Sequence, residues 1–208
     1  MSSRNLPDDI DKALEEAVWL GIKVQPERKR VGVALDVLTL PEIGDGRRMW
    51  VVLWLEGVRR IAASYRLGRW DDPSAEVVGV SLAELPEVLA SFGRRPVYGW
   101  EFFDPSGAGR GGWATSGRQL SLDVRWARGP SAHVIELFQE SDRQLDVRVW
   151  FDTVRVVSEG PTDIPLDVFA AAGERWWSAL FAGDERTEHA GIHPITAAEI
   201  RRLEDGGT

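Results

Sequence analysis

The sequence predicts an α+β fold, an antiparallel sheet of about eight or nine strands with helices packed on one face. Two observations carry that expectation. Over Gln119–Ser158, apolar and polar residues alternate with a period of two, the mark of half-buried antiparallel strands. Leu120, Leu122, Val124 and Trp126 form one such set, Leu145, Val147, Val149 and Phe151 another, and Val154 and Val156 a third. The second observation is order: strand-like runs come in groups, each followed by a helical pattern, rather than alternating strictly with helices.

Taken in order, Asp8–Ile22 reads as a helix. Asp8 or Asp9 can cap it, Ile10, Ala13, Leu14, Ala17 and Val18 form its apolar stripe, and Gly21 can stop it. Pro26–Arg30 is a charged turn. Val31–Leu40 alternates as a strand, and Pro41–Arg48 is a loop. Met49–Leu55 is apolar on both sides, with Trp50, Val52 and Trp54 opposite Met49, Val51, Leu53 and Leu55, as in a central strand covered on both faces. Glu56-Gly57 reads as a hairpin turn. Arg59–Leu67 returns with Ile61, Ala63 and Tyr65 inward.

Glu76–Val80 is a short edge strand. Ser81–Phe92 is a helix with Ser81 and Glu84 at capping-box spacing, its true start drawn toward Leu85 by Pro86. Arg95–Asp104 is a strand. Pro105–Gly117, with five glycines, is a loop whose one large apolar residue is Trp113. The four strands of Gln119–Ser158 then form a meander, with a bulge or sharp corner at Asp152. Pro165–Phe181 is a helix capped by Asp163, in which Gly173 marks close packing on the sheet. A short helix follows Thr196. No Pro/Gly/Ser-rich linker divides the chain, so residues 1–183 read as one domain and 184–208 as a tail.

Composition narrows the function. The 208 residues carry a net charge of −8, so phosphate backbones are repelled overall and nucleic acid is disfavoured as a partner. Charge is uneven, however: Lys23–Arg69 holds ten basic and five acidic residues. With no cysteine, disulfides, thiolate metal sites and cysteine nucleophiles are excluded. No apolar run has the length of a membrane span or the shape of a signal peptide, so a cytoplasmic protein with no membrane partner is expected. Phosphate-loop, dinucleotide, metalloprotease and kinase motifs are lacking, and no cofactor or metal is expected. His189 and His193 are four apart, but Gly191 and Pro194 argue against a helix that could aim them together. His133 has no nucleophile motif to partner it.

Three clusters stand out. Glu101, in the strand Gly99-Trp-Glu-Phe-Phe103, is a carboxylate among Val97, Gly99 and Phe103 that must be paired, hydrogen-bonded or neutralised. Trp70-Asp71-Asp72 is an aromatic and acidic turn. Were Trp70, Asp71, Asp72, Trp100, Glu101 and Trp113 to meet, they would offer carboxylates beside indole faces, suited to a cation or sugar; the plainer reading of Asp71-Asp72-Pro73 is an Asx-type turn. Arg28, Lys29, Arg30, Arg47, Arg48, Arg59 and Arg60 could form an anion patch, or simply balance acids of the first helix and Glu76, Glu84 and Glu87. With ten tryptophans, and with Phe138 and Trp150 on an otherwise polar strand face, the first expectation is a non-enzymatic module that binds a protein or a small ligand. The alternative is a hydrolase or lyase using Glu101 with Asp71 or Asp72. A homodimer is compatible with either.

Overall fold

The computed structural model describes residues 10–69, 71, 72, 74–97, 99–103, 120–160 and 162–190. Its architecture is α+β and mostly strand, all pairs antiparallel, with the strands divided between two sheets. The first sheet has the order β1(Val18–Gln25), β2(Arg30–Thr39), β3(Arg47–Glu56), β10(Thr153–Ser158), β11(Asp163–Ile164). The second runs β5(Glu76–Val77), β4(Arg60–Leu67), β9(Gln144–Phe151), β8(His133–Glu140), β6(Gly99–Phe103), with β7(Leu122–Arg125) also paired to β4. Among the described residues no helix is long and apolar enough to cross a membrane.

The alternation seen in the sequence sets the register. In the first sheet Val31, Leu55 and Val154 lie side by side, as do Val33, Leu53 and Val156. In the second, Ile61, Val149 and Ile135 form one row and Ala63, Val147 and Leu137 the next. All of these side chains are buried in a single core between the sheets. Because the period is two, a slip of one residue would turn each row outward, so burial and register enforce each other.

Two features join the sheets. On one side β3 and β10 pair in the first sheet while their continuations β4 and β9 pair in the second. A single antiparallel ribbon therefore bends across both. The bend falls at Glu56–Arg59 and Asp152, where the Asp152 amide donates to the Glu56 carbonyl (2.9 Å) and the Arg59 amide to the Trp150 carbonyl (3.0 Å). Asp152 is thus the corner anticipated. Glu56-Gly57, expected to turn a hairpin, instead carries the chain from one sheet to the other. Gly57 has φ +66°, which favours glycine, and a Cβ there would press on the Asp152 side chain, 2.8 Å from a carboxylate oxygen. On the other side, the start of β1 bonds to the segment before β6, with the Val97 amide donating to the Ala17 carbonyl (2.7 Å).

Among the described residues three α-helices complete the fold: α1(Ile10–Leu14), α2(Leu85–Ala90) and α3(Leu166–Ala182). The expected helix over Asp8–Ile22 ends at Leu14; Glu16 takes a left-handed φ of +57°, and Val18–Gln25 pairs with β2. A bulge between Trp19 and Gly21 shifts the parity of this strand, so that Trp19 and Ile22 are its buried residues, and pairing with β2 decides the strand over the helix. The Gln119–Ser158 run is likewise split. β8 and β9 form a hairpin, β7 joins β4, and β10 joins β3. Ser81 and Glu84 do exchange capping-box bonds (2.8 and 3.3 Å) ahead of α2. Asp163 does not cap α3; it sits in β11 facing Arg155 at 3.3 Å. Gly173 does mark a close approach, but to α1, since a Cβ there would lie 2.3 Å from the Ala13 Cα.

Candidate functional site

The outer face of the second sheet, where the ribbon bends, carries a groove of about 600 Å³. Its wall is built by register. Arg60 of β4 faces Arg125 of β7 on one side and Trp150 of β9 on the other, so three large side chains stand in one row. The turn after β7 closes the groove with Trp126, Ala127, Arg128, Gly129, Pro130 and Ser131, and Arg59 completes it. That turn is anchored to the corner: the Trp126 amide donates to the Arg59 carbonyl (2.8 Å), and the Arg59 guanidinium donates to the Arg128 carbonyl (3.2 Å) and to Asp152 (3.0 Å).

The four arginines differ in their charge balance. Arg60 makes a forked pair with Asp123 (2.6 and 2.8 Å) while its guanidinium lies 4.3 Å from the centre of the Trp150 ring. Arg59 is paired with Asp152. Arg125 and Arg128 are exposed and have no carboxylate within ion-pair distance among the described residues. The groove therefore holds two neutralised guanidiniums that act as rigid walls and two that carry free charge. None of the ten lining residues is acidic.

Farther along the same face, Glu136 of β8 pairs with Arg148 of β9, and Asp146 stands two residues on from Arg148 along the strand. Burial, reinforced by the Glu136 charge, pushes the Asp146 carboxyl up to about 7 against the opposing pull of Arg66 and Arg148.

Of the residues singled out in the sequence, Arg59, Arg60 and Trp150 line this groove. Trp70, Trp113, His193 and the segment after Thr196 lie outside the described residues, as do the side chains of Trp100, Glu101 and His189. Asp72 forms the plain Asx-type turn: its carboxylate accepts from the Ser74 amide (2.8 Å) and hydroxyl (2.6 Å), which holds it below the usual range. Asp71 lies 3.7 Å from Arg69, both exposed. This turn follows β4, whereas Glu101 sits in β6 opposite Glu136, three strands away. Three strand spacings amount to about 14 Å. His133 packs its ring against Phe151, 5.6 Å between centres.

The basic segment is dispersed. Arg30 pairs with Glu56 (3.7 Å) and lies over Trp54 (4.2 Å), Arg48 pairs with Asp36 (3.9 Å), and Arg59 and Arg60 belong to the groove. Their acids are Glu56, Asp36, Asp152 and Asp123, not those of the first helix or Glu76, Glu84 and Glu87. Trp126, which the alternation assigns to the apolar side of its strand, is only half-buried and also lines the groove, and Arg125 and Arg128 join it there. The one available signal was Arg125-Trp-Ala-Arg-Gly-Pro130, an indole between cations leading into a glycine-proline turn.

Comparison with models of known protein families, with curated proteins and with solved structures finds no match to this chain.

Proposed function

We propose that this protein is a non-enzymatic binding module that holds a small ligand in the Arg–Trp groove. The observation that carries the reading is the lining itself: four arginines and two tryptophans, with no acidic residue, at the bend between two sheets. Arginine and tryptophan are the residue types that dominate binding energy where they are concentrated. A volume of about 600 Å³ lies within the range of small-molecule sites, roughly 300–1,000 Å³.

Binding rather than catalysis is supported by the chemistry of the lining. Among the described residues, the groove is lined by no Asp, Glu, His, Lys, Tyr or Cys side chain to act as general acid or base. Ser131 is its one hydroxyl, with no base lining the groove beside it. The arginine pairs with Asp123 and Asp152 fix the walls before any ligand arrives, which lowers the ordering cost of binding.

The test is a fragment screen read through the tryptophan indole N–H signals in NMR. Binding in the groove shifts Trp126 and Trp150 and leaves the buried Trp19 and Trp176 in place. A screen whose hits move only tryptophans elsewhere, or none, refutes the assignment.

A further inference from the structure

We infer that the ligand of this groove carries a phosphate monoester on a flat ring, an inference that rests on the binding reading above. Charge comes first. Of four lining guanidiniums, those of Arg59 and Arg60 are already matched by Asp152 and Asp123, leaving two positive charges on Arg125 and Arg128. One dianionic group offsets both, whereas a single carboxylate leaves a charge unmatched. The planar guanidinium fork fits the oxygens of a phosphate group two at a time, and charge-assisted bonds of this kind are roughly twice as strong as neutral ones.

Shape comes second. The half-buried Trp126 and Trp150 and the Pro130 ring give the groove apolar surface beside the cations. Arg60 lies 4.3 Å and Arg148 5.9 Å from the centre of the Trp150 ring, so cation–indole contact is the local packing mode, and a planar ligand ring beside Trp126 and Trp150 extends it. Size and overall charge separate this ligand from a nucleic-acid strand. A polymer would run beyond a groove of about 600 Å³ onto a protein of net charge −8, where its phosphates are repelled.

The probe is phenyl phosphate, titrated into the full chain at low salt with the Trp126 and Trp150 indole signals as readout. Inorganic phosphate, benzoate, phenol and a single-stranded oligothymidine serve as comparisons. Phenyl phosphate is expected to bind most tightly, benzoate and inorganic phosphate more weakly, and phenol without saturation. The double substitution Arg125→Gln with Arg128→Gln, at exposed side chains outside the core, is expected to weaken phenyl phosphate by roughly tenfold or more. Since the second ionisation of a phosphate monoester falls near pH 6, affinity is expected to drop as pH falls from about 7.5 to 5. A phosphotyrosine peptide distinguishes sources: tighter binding than phenyl phosphate assigns the group to a protein partner, and equal binding to a free small molecule, with the shared chemistry upheld in both cases.

Benzoate or phenol binding as tightly as phenyl phosphate, indifference to the double substitution, or tighter binding of oligothymidine would overturn the inference. Shifts of Trp126 and Trp150 with the wrong ligand leave the groove as a binding site and remove only the phosphate. Silence of both signals toward all of these probes removes the phosphate as well, and the wider fragment screen then decides the groove itself.

Discussion

One side-chain arrangement recurs on the outer sheet faces: an arginine lies over an indole while pairing with a carboxylate. Arg30 does this with Trp54 and Glu56, Arg60 with Trp150 and Asp123, and Arg148, at a longer 5.9 Å, with Trp150 and Glu136. This explains why a face that reads as charged also holds tryptophans: the guanidinium covers the ring and the ring shields the ion pair. Trp150 is therefore a half-covered surface residue, and Trp150→Ala is expected to cost about 1–2 kcal/mol in chemical denaturation, against about 3–5 kcal/mol for the fully buried Trp176→Ala. Asp146 gives a pH prediction. Its folded-state value, pushed up to about 7, exceeds the ordinary 3.8, so the native state holds the proton where the unfolded chain has lost it. Stability is then expected to fall as pH rises from about 4 to 7 and to level off above that, by at most about 4 kcal/mol in total from this group. Asp146→Asn should flatten the slope and raise the melting temperature at pH 8 but not at pH 4, as calorimetry at the two values would show. Equal effects at both would contradict the assignment.

At the scale of elements, α3 and α1 cross at Gly173 and Ala13. Gly173→Ala would ordinarily strengthen a helix by about 1 kcal/mol. Here the added methyl would meet the α1 backbone at 2.3 Å, so a net loss of about 1–3 kcal/mol is expected from overpacking, measured by urea denaturation; a gain would show that the helices part easily. Gly173 also shows how far the sequence could be read. Its close packing was legible as a glycine inside an apolar stripe, but the identity of its neighbour was not, because spacing along a chain does not name a partner. The same limit applies to strands. Alternation in β2, β4, β9 and β10 gave the correct inward residues, since one face must be buried, whereas β8 is apolar on both sides and buries Val134 beside Ile135. It could not tell a hairpin at Glu56-Gly57 from a corner between sheets, because both begin with glycine at positive φ. Val18–Ile22 reads as the end of a helical stripe, and only pairing with β2, through a bulge between Trp19 and Gly21, makes it strand. The groove was legible only in pieces: Trp150 on a polar face, Arg59 and Arg60 within a basic segment, and the Arg125-Trp-Ala-Arg-Gly-Pro130 run. Its cations come from β4, β7 and the following turn, brought together by pairings 65 residues apart in sequence, such as Arg60 with Arg125.

For the molecule as a whole, the bent β3–β4 and β9–β10 ribbon contributes strands to both sheets, and one core fills the space between them. Neither sheet keeps a buried face without the other. Urea unfolding is therefore expected to be a single transition, with far-UV circular dichroism and tryptophan fluorescence coincident; two separated midpoints would show that the sheets unfold independently. The bend that unites the sheets also sets the Arg59–Arg60 wall against the Arg125–Ser131 turn, so the fold and the groove share one origin. The most direct check is fluorine NMR of fluorotryptophan-labelled protein during addition of phenyl phosphate. Saturable movement of the Trp126 and Trp150 resonances, with Trp50, Trp54, Trp176 and Trp177 still, is the result expected. Movement confined to Trp50 and Trp54, or no movement at saturating ligand, would contradict it.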